Sequence, residues 1–469
     1  MTHLLGVDFG TTSLKACLFD ENGNKIVAES ARYSLITKGD FIEFNADEFF
    51  NVFEGVFNKI ASSYHIDAMA IDTQGETLIV LDKQDKPLMN AIIWLDTRAE
   101  KQAKEFENKF GLETVYNLTG QTEVPAGYPL PKIMWLKENM PEIFAKADKF
   151  LLLEDYIIYR LTGNYCASRS LYSSSLLMNV KTGEYIEDFL SYVGISQKQL
   201  PTLYESGVCV GEYKGIKVVT SALDQIAGVT GAGVVKPGLI SETTGTALAV
   251  CAITEKMPPY FNGIKVPVHY VRKGIYCLLM WAPTAGAMLE WYKKEFCEGK
   301  DYSDINALAE SIEKGSEGLI CIPHLCGTVM PNNIPNATGV FFGMELKHTR
   351  AHFIRSIMES VAYMIKEYVD YMKIDVKEIR SVGGGSRSDV WNNIKSAVIG
   401  KKIVTLKESE TACLGSAVFA GIGVGVFNDE TSATQSLVKE NKEFVNLENY
   451  SEIYKNYKDK EEKILKIFN

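Results

Sequence analysis

One local design occurs twice in this chain, about half a length apart, and that duplication constrains the fold more than any other feature. The first copy is Gly6-Val7-Asp8-Phe9-Gly10-Thr11-Thr12-Ser13-Leu14-Lys15-Ala16, an apolar strand, a tight turn of glycine and hydroxyls, and a second strand running on to Asp20. The second copy is Ser241-Glu242-Thr243-Thr244-Gly245-Thr246-Ala247-Leu248-Ala249-Val250. Glycine at such a turn lets the backbone approach an anion closely, and the amides and hydroxyls of Thr11 to Ser13 are donors for phosphate oxygens. Asp8, at the end of its strand, is placed to hold a hydrated divalent cation, which takes oxygen ligands. The plainer reading is an ordinary hairpin with a turn acid, followed later by a threonine-rich turn. Two copies of one clamp imply two lobes, each offering one set of phosphate donors to a nucleotide in the cleft between them.

A third glycine run supports the same chemistry. In Arg380-Ser381-Val382-Gly383-Gly384-Gly385-Ser386-Arg387-Ser388-Asp389-Val390-Trp391, a strand-like entry meets three glycines and then a helical pattern from Asp389 onward. Bare backbone there admits a flat ring or a ribose, and a branched side chain at Gly384 or Gly385 would fill that space and resist a positive φ. Ser388, or Asp389, caps the helix that follows. The chain has neither G-x-x-x-x-G-K-[ST] nor G-x-G-x-x-G, so a P-loop NTPase and a Rossmann dehydrogenase lose their sequence support.

Taken in order, the two clamps, the Leu223-Asp224-Gln225 segment and the run from Val382 through Glu410 to Gly415-Ser416-Ala417 resemble the FGGY carbohydrate kinases, relatives of the actin and hexokinase ATPases, over roughly residues 4 to 425. The resemblance implies an α/β, two-lobed actin/hexokinase-like (ribonuclease H-like) fold with an interlobe cleft. It also implies ATP and Mg2+ as cofactors and direct in-line phosphorylation of a sugar or polyol hydroxyl between lobes that close. On the ATP side it points to Gly10, Thr11, Thr12, Ser13, Lys15, Gly245, Thr246, Gly383, Gly384, Gly385 and Ser388, with Asp8 for the metal.

Composition agrees. A chain of 469 residues is expected to form two lobes, residues 1–236 and 237–469, parted near Lys236-Pro237-Gly238 where Pro-Gly interrupts regular structure. Hydrophobic content of 46% and charged content of 23% are those of a soluble globular protein, and a net charge of −10 argues against a nucleic-acid surface. Nine scattered cysteines without a C-x-x-C pair suggest neither a disulfide framework nor a zinc site, so a reducing compartment is expected. Met1-Thr2-His3-Leu4-Leu5 leads into the first strand without a basic region, and no apolar run reaches about 18 residues, so the expected location is cytoplasmic, with no membrane partner. A small sugar or polyol is the expected partner, and a homodimer is compatible.

Along the first half, residues 25–28 continue the opening meander, residues 46–62 carry apolar positions at helical spacing, and Met69-Ala70-Ile71-Asp72-Thr73-Gln74-Gly75-Glu76 is a strand entering a glycine turn. That βββαβ order suits an actin-like lobe. The charged, Tyr-rich segment 441–469 is expected to end in a helix packed on the second lobe, a binding tail being the alternative.

The catalytic base expected here is Asp224, just after the apolar strand at 216–219 and at the head of a small-residue helix, where a carboxylate can accept a hydroxyl proton. The family's catalytic aspartate aligns with it. An N-cap role is equally good on the residues alone and compatible with catalysis. Gln74 and Glu76 at a strand-end turn, with Trp94, Asp96 and Arg98 in the Trp-x-Asp-x-Arg segment that lines the family's sugar pocket, and Gln225 beside the base, are the expected substrate contacts. Such groups pair with vicinal hydroxyls, while an indole covers a C–H face. Against this, Trp94 is read as core and Asp96–Arg98 as a structural ion pair.

The departures from the family bear on the substrate. Xylulose kinases typically carry His where this chain has Glu76, and glycerol kinases carry Arg where it has Gly75 and a pocket Tyr near Tyr128. Asn393 and Ser396-Ala397 replace the usual Gln and Ala-Asp of the last signature. A pentulose such as xylulose is expected, with glycerol or another polyol as the alternative. An ATP-binding sugar sensor would lose the base, whereas Asp8 and Asp224 are both present; an actin-fold chaperone ATPase would need a long extension beyond residue 425.

Overall fold

Strand-forming and helix-forming stretches alternate through the chain and divide, in the computed structural model, between two compact units. Residues 1–468 are described; the expectation for the tail at Asn469 lies outside them. Unit 1 holds Met1–Val235, Thr254–Cys277 and Glu410–Lys439, and unit 2 holds Lys236–Ile253, Leu278–Ser409 and Glu440–Asn469. The boundary at Lys236 lies where Pro-Gly suggests it, but the units are not the two consecutive stretches expected. Close helix packing is the reason. The helix Thr411–Gly423 lies on the helix Asp224–Gly231 and the strands His3–Phe9 and Ala68–Thr73. Three glycines permit the approach: a Cβ on Gly6 would stand 1.8 Å from Cys413 O, one on Gly231 1.8 Å from Thr411 O, and one on Gly415 1.9 Å from Ala227 O. Any side chain there would push the helix away.

The sheet of unit 1 runs in the order Cys209–Tyr213, Ile216–Leu223, Ala68–Thr73, His3–Phe9, Ser13–Asp20, Lys25–Arg32. Its three middle strands are parallel, and its flanking pairs are antiparallel. The helix Ala46–Ala61 begins at Asn45, whose side chain accepts from Asp47 N. It buries Phe49, Phe53 and Phe57 at helical spacing, with Phe49 edge-on to Phe9 at 6.0 Å. Full burial of each ring contributes about 1.5–3 kcal/mol.

Unit 2 repeats the arrangement. Its strands run Ile275–Ala282, Leu248–Thr254, Leu239–Thr244, Glu378–Val382, Lys402–Leu406, Glu440–Phe444, again with a parallel centre and antiparallel pairs outside it. The helix Arg350–Met372 packs on the helix Asp389–Ile399. The terminal segment forms the strand Glu440–Phe444 and the helix Ser451–Leu465, anchored where Tyr450, Tyr454 and Tyr457 surround the Tyr363 ring at 6.4, 5.8 and 4.6 Å. No helix among the described residues is long and apolar enough to cross a membrane, and no disulfide joins the nine cysteines.

Candidate active site

Parallel pairing of His3–Phe9 with Ala68–Thr73 sets Asp8 in register with Asp72, so two carboxylates stand side by side at the strand ends. Asp72 is fully buried; its Oδ2 accepts from Ser416 Oγ at 2.6 Å, and Ser416 lies 2.6 Å from the Ser221 hydroxyl. Its Oδ1 has no partner among the described residues. Two further acids belong to the cluster. Asp224 opens the helix Asp224–Gly231, where its Oδ1 accepts from Gln225 N at 2.6 Å, and Glu76 occupies a turn with φ +51°. Burial raises the Asp8 carboxyl to about 6, opposed mainly by the charge of Lys15. Burial, then the negative field of Asp8 and Glu76, raises Asp224 to about 8. Asp72 is pushed well above the carboxylate range by burial and then by Asp8, and Glu76 is raised to about 7 by burial. Four acids share one site and repel one another's charge.

The nearby cations are already committed. Lys132, wholly buried, donates to three backbone carbonyls, those of Glu76 at 2.8 Å, Ile92 at 3.2 Å and Ile93 at 2.9 Å. Burial lowers its pKa to about 7. By holding the Glu76 carbonyl, it fixes the left-handed turn that a non-glycine residue adopts at a cost of about 1–3 kcal/mol. Arg98 is bidentate to Asp96 at 2.8 and 2.7 Å and reaches Glu43 at 2.6 Å, while Asp96 also accepts from Ile42 N at 2.6 Å and Arg98 N at 3.0 Å. The Asp96–Arg98 pair thus forms the ion pair that is the alternative to a sugar contact, completed by Ile42 N and Glu43 in the segment carrying Trp94. Trp94 is not core: it is 37% exposed, and its Nε1 donates to Thr11 Oγ1 at 3.0 Å. Gln74 is 2% exposed with both side-chain polar atoms unpartnered among the described residues, as is the Thr77 hydroxyl.

The first clamp is closed by Gly10 N donating to Ser13 O at 3.0 Å, and Tyr33 N donates to Thr12 O at 3.0 Å. Lys15, paired in register with Asp8, bridges to Glu410 at 2.7 Å. Asp8, the clamp Gly10 to Ser13, Lys15, Gln74, Glu76, Trp94, Asp96, Arg98, Asp224 and Gln225 all belong to unit 1.

Gly245, Thr246, Gly383 to Gly385 and Ser388 belong to unit 2. There Gly245 N donates to Ala247 O at 3.0 Å, and the helix Gly286–Phe296 begins on the same turn, with Gly286 N on Gly245 O at 2.8 Å. The glycine run forms a 3-10 turn at Gly384–Arg387. Positive φ falls on Gly383, at +79°, and not on Gly384 or Gly385 as expected. Gly385 is constrained by space instead: a Cβ would lie 2.7 Å from Thr244 Cβ. Gly384 is open, with only Thr244 O at 4.0 Å. Ser388 caps the helix Asp389–Ile399 by accepting from Trp391 N at 3.1 Å, and donates to Asn306 Oδ1 at 2.7 Å, so its hydroxyl is engaged.

Sequence reasoning passed over Asp72, Lys132 and the Glu242–Lys395 pair described below. Asp72 carries a signal, an acid inside the apolar run Met69-Ala70-Ile71; Lys132, in a helix of mixed pattern, carries none.

Comparison with known proteins agrees with this geometry. A xylulose kinase of Bacillus subtilis (strain 168) is 28% identical over 98% of this chain and 96% of its own. A gluconokinase of Bacillus licheniformis is 29% identical over 90% and 88%. The solved structure of Plasmodium falciparum glycerol kinase with ADP superposes with a TM-score of 0.89 at 25% identity, covering 99% of this chain and 98% of that one. Residues 3–237 match the N-terminal domain of the FGGY family of carbohydrate kinases and residues 243–424 its C-terminal domain. With both domains matched in order, the chain belongs to the FGGY family of carbohydrate kinases.

Proposed function

We propose that this kinase, for which the family implies ATP as donor, phosphorylates a hydroxyl of a neutral ketose, a pentulose such as xylulose. One observation carries the choice: among the described residues the cations beside the carboxylate cluster of unit 1 are engaged, Lys132 on three carbonyls, Arg98 on Asp96 and Glu43, and Lys15 on Glu410. A sugar acid such as gluconate would bring its charge to Glu76 and Asp224, where burial already disfavours charge and the cations nearby are engaged. Hydroxyls, by contrast, donate to those carboxylates and match the unpartnered amide of Gln74. Glycerol is disfavoured because Gly75 stands where glycerol kinases carry their Arg.

In this reading Asp224 accepts the proton of the attacking hydroxyl and Gln225 follows it on the same helix. Glu76, braced through Lys132, and Gln74 select the hydroxyls; Trp94, held by Thr11, covers a C–H face. Asp96 and Arg98 act by holding Trp94 in place. Asp8 is the proposed holder of Mg2+, and the unpartnered Oδ1 of Asp72 fits a cation with its water shell. When bound, Mg2+ would neutralise phosphate charge. Gly10 to Ser13 and Lys15, with Gly245, Thr246 and Gly383 to Gly385, are the proposed ATP contacts.

A coupled assay of the purified chain with Mg-ATP against xylulose, ribulose, glycerol and gluconate tests this. Highest kcat/KM on a pentulose is expected. Gluconate turned over faster than either pentulose would reject the neutral-substrate reading.

A further inference from the structure

The strands Leu239–Thr244 and Glu378–Val382 pair in parallel with Glu242 opposite Ser381. Glu242 is completely buried, and so is Lys395, which reaches it from the helix Asp389–Ile399 with Nζ 2.6 Å from Oε1. Ser381 Oγ also donates to Glu242, and Thr244 Oγ1 donates to its other oxygen at 2.7 Å. Asn392, on the same helix, holds the glycine run through Nδ2 on Ser386 O at 2.8 Å. Thr244 closes the circuit. Its side chain packs where a Cβ on Gly385 would stand, and its carbonyl lies 2.8 Å from where a Cβ on Gly383 would be.

A buried ion pair is weak grounds for stability, because removing two charges from water costs about as much as their attraction returns. What this pair does is fix geometry. Each oxygen of Glu242 is engaged, one by Lys395 and one by the residue just before the clamp glycine, so the tilt of the Gly245-Thr246 turn follows from where Lys395 holds the carboxylate.

We propose that Glu242 and Lys395 are positioning residues for the nucleotide: the pair sets the Gly245-Thr246 clamp against the Gly383-Gly384-Gly385 run without touching ATP. The inference rests on the reading of those two loops as ATP contacts. Lys395→Met removes the cation and nearly keeps the volume. It is expected to raise KM for ATP at least about tenfold while kcat at saturating ATP and KM for sugar stay within about threefold. Adding Glu242→Gln to it should recover part of the loss, since no unpaired buried carboxylate remains. Ser381→Ala, which removes one hydroxyl from the network and should fold in any case, is expected to raise KM for ATP about two- to fivefold.

Direct binding of ATP to wild type is measured alongside. If wild type binds ATP and the folded variants show lower melting temperatures with unchanged KM for ATP, the pair is merely structural and the inference is overturned. If wild type itself binds no ATP, the nucleotide reading of these loops falls first and the inference with it.

Discussion

Each unit builds an antiparallel hairpin around a glycine turn, and the acid of its first strand is set differently in the two. Counting back from the turn glycine, Asp8 lies two residues before Gly10, whereas Glu242 lies three before Gly245. Side chains alternate across a strand, so this single step sends the two carboxylates to opposite faces. Asp8 stays half-buried beside Asp72 and near Asp224, in a cluster of acids that burial and mutual repulsion hold above the usual carboxylate range. Glu242 turns into the interior and is saturated by Lys395, Ser381 and Thr244. A crowded set of acids with raised proton affinity suits the proposed base and metal holder, and a saturated, buried one suits the proposed positioning of loops.

That contrast breaks most visibly at Asp224. Asp224→Asn keeps the shape and removes the base, and kcat should fall by about two to four decades with KM for ATP little changed; an undiminished kcat would take Asp224 out of the chemistry. Next is Glu76→Ala. Loss of a carboxylate held beside Lys132 and Ser174 should cut kcat/KM for the sugar at least about tenfold, while slow ATP hydrolysis without sugar persists, both rates being read in one coupled assay. Gly385→Val tests the opposite side. Displacing Thr244, 2.7 Å from the new Cβ, should raise KM for ATP several-fold and leave KM for sugar unaltered; the reverse pattern would put the glycine run on the sugar side. The smallest effect belongs to Trp94→Phe, which keeps one ring but loses the 3.0 Å bond to Thr11 and part of the indole face, and should raise KM for sugar about two- to threefold.

Much of this was legible in the sequence because local chemistry carried it. The repeated strand, Gly-Thr turn and strand announced two related sheets, and Ser388 before Asp389 announced a helix start that the Trp391 amide bond bears out. Units made from discontinuous segments were not legible. The assignment of residues 410–439 to unit 1 depends on backbone contacts at Gly6, Gly231 and Gly415, which lie far apart in sequence and signal only that something comes close. The direction of Asp96 and Arg98 was also hidden, since a Trp-x-Asp-x-Arg segment suits a sugar pocket or a brace equally well until Ile42 N and Glu43 are seen to complete the pair. Lys132 was missed because a buried lysine on three carbonyls depends on turns some 40 and 56 residues away.

Asp224 acts in the proposed reaction as a base whose proton affinity burial and the neighbouring acids raise, and the pH profile of kcat/KM for the sugar at saturating Mg-ATP reads that affinity in the enzyme form that binds sugar. Only the ionised carboxylate accepts a proton, and burial with the charge of Asp8 raises its pKa, to about 8 without Mg2+, so activity climbs with pH. Wild type with its best sugar should gain up to about tenfold per pH unit on the acid side and level off by about pH 8, Mg2+ at Asp8 offsetting part of the field that raises Asp224, while Asp224→Asn should lack that limb. A wild-type profile flat between pH 6 and about 9, or the same limb in Asp224→Asn, would contradict the account.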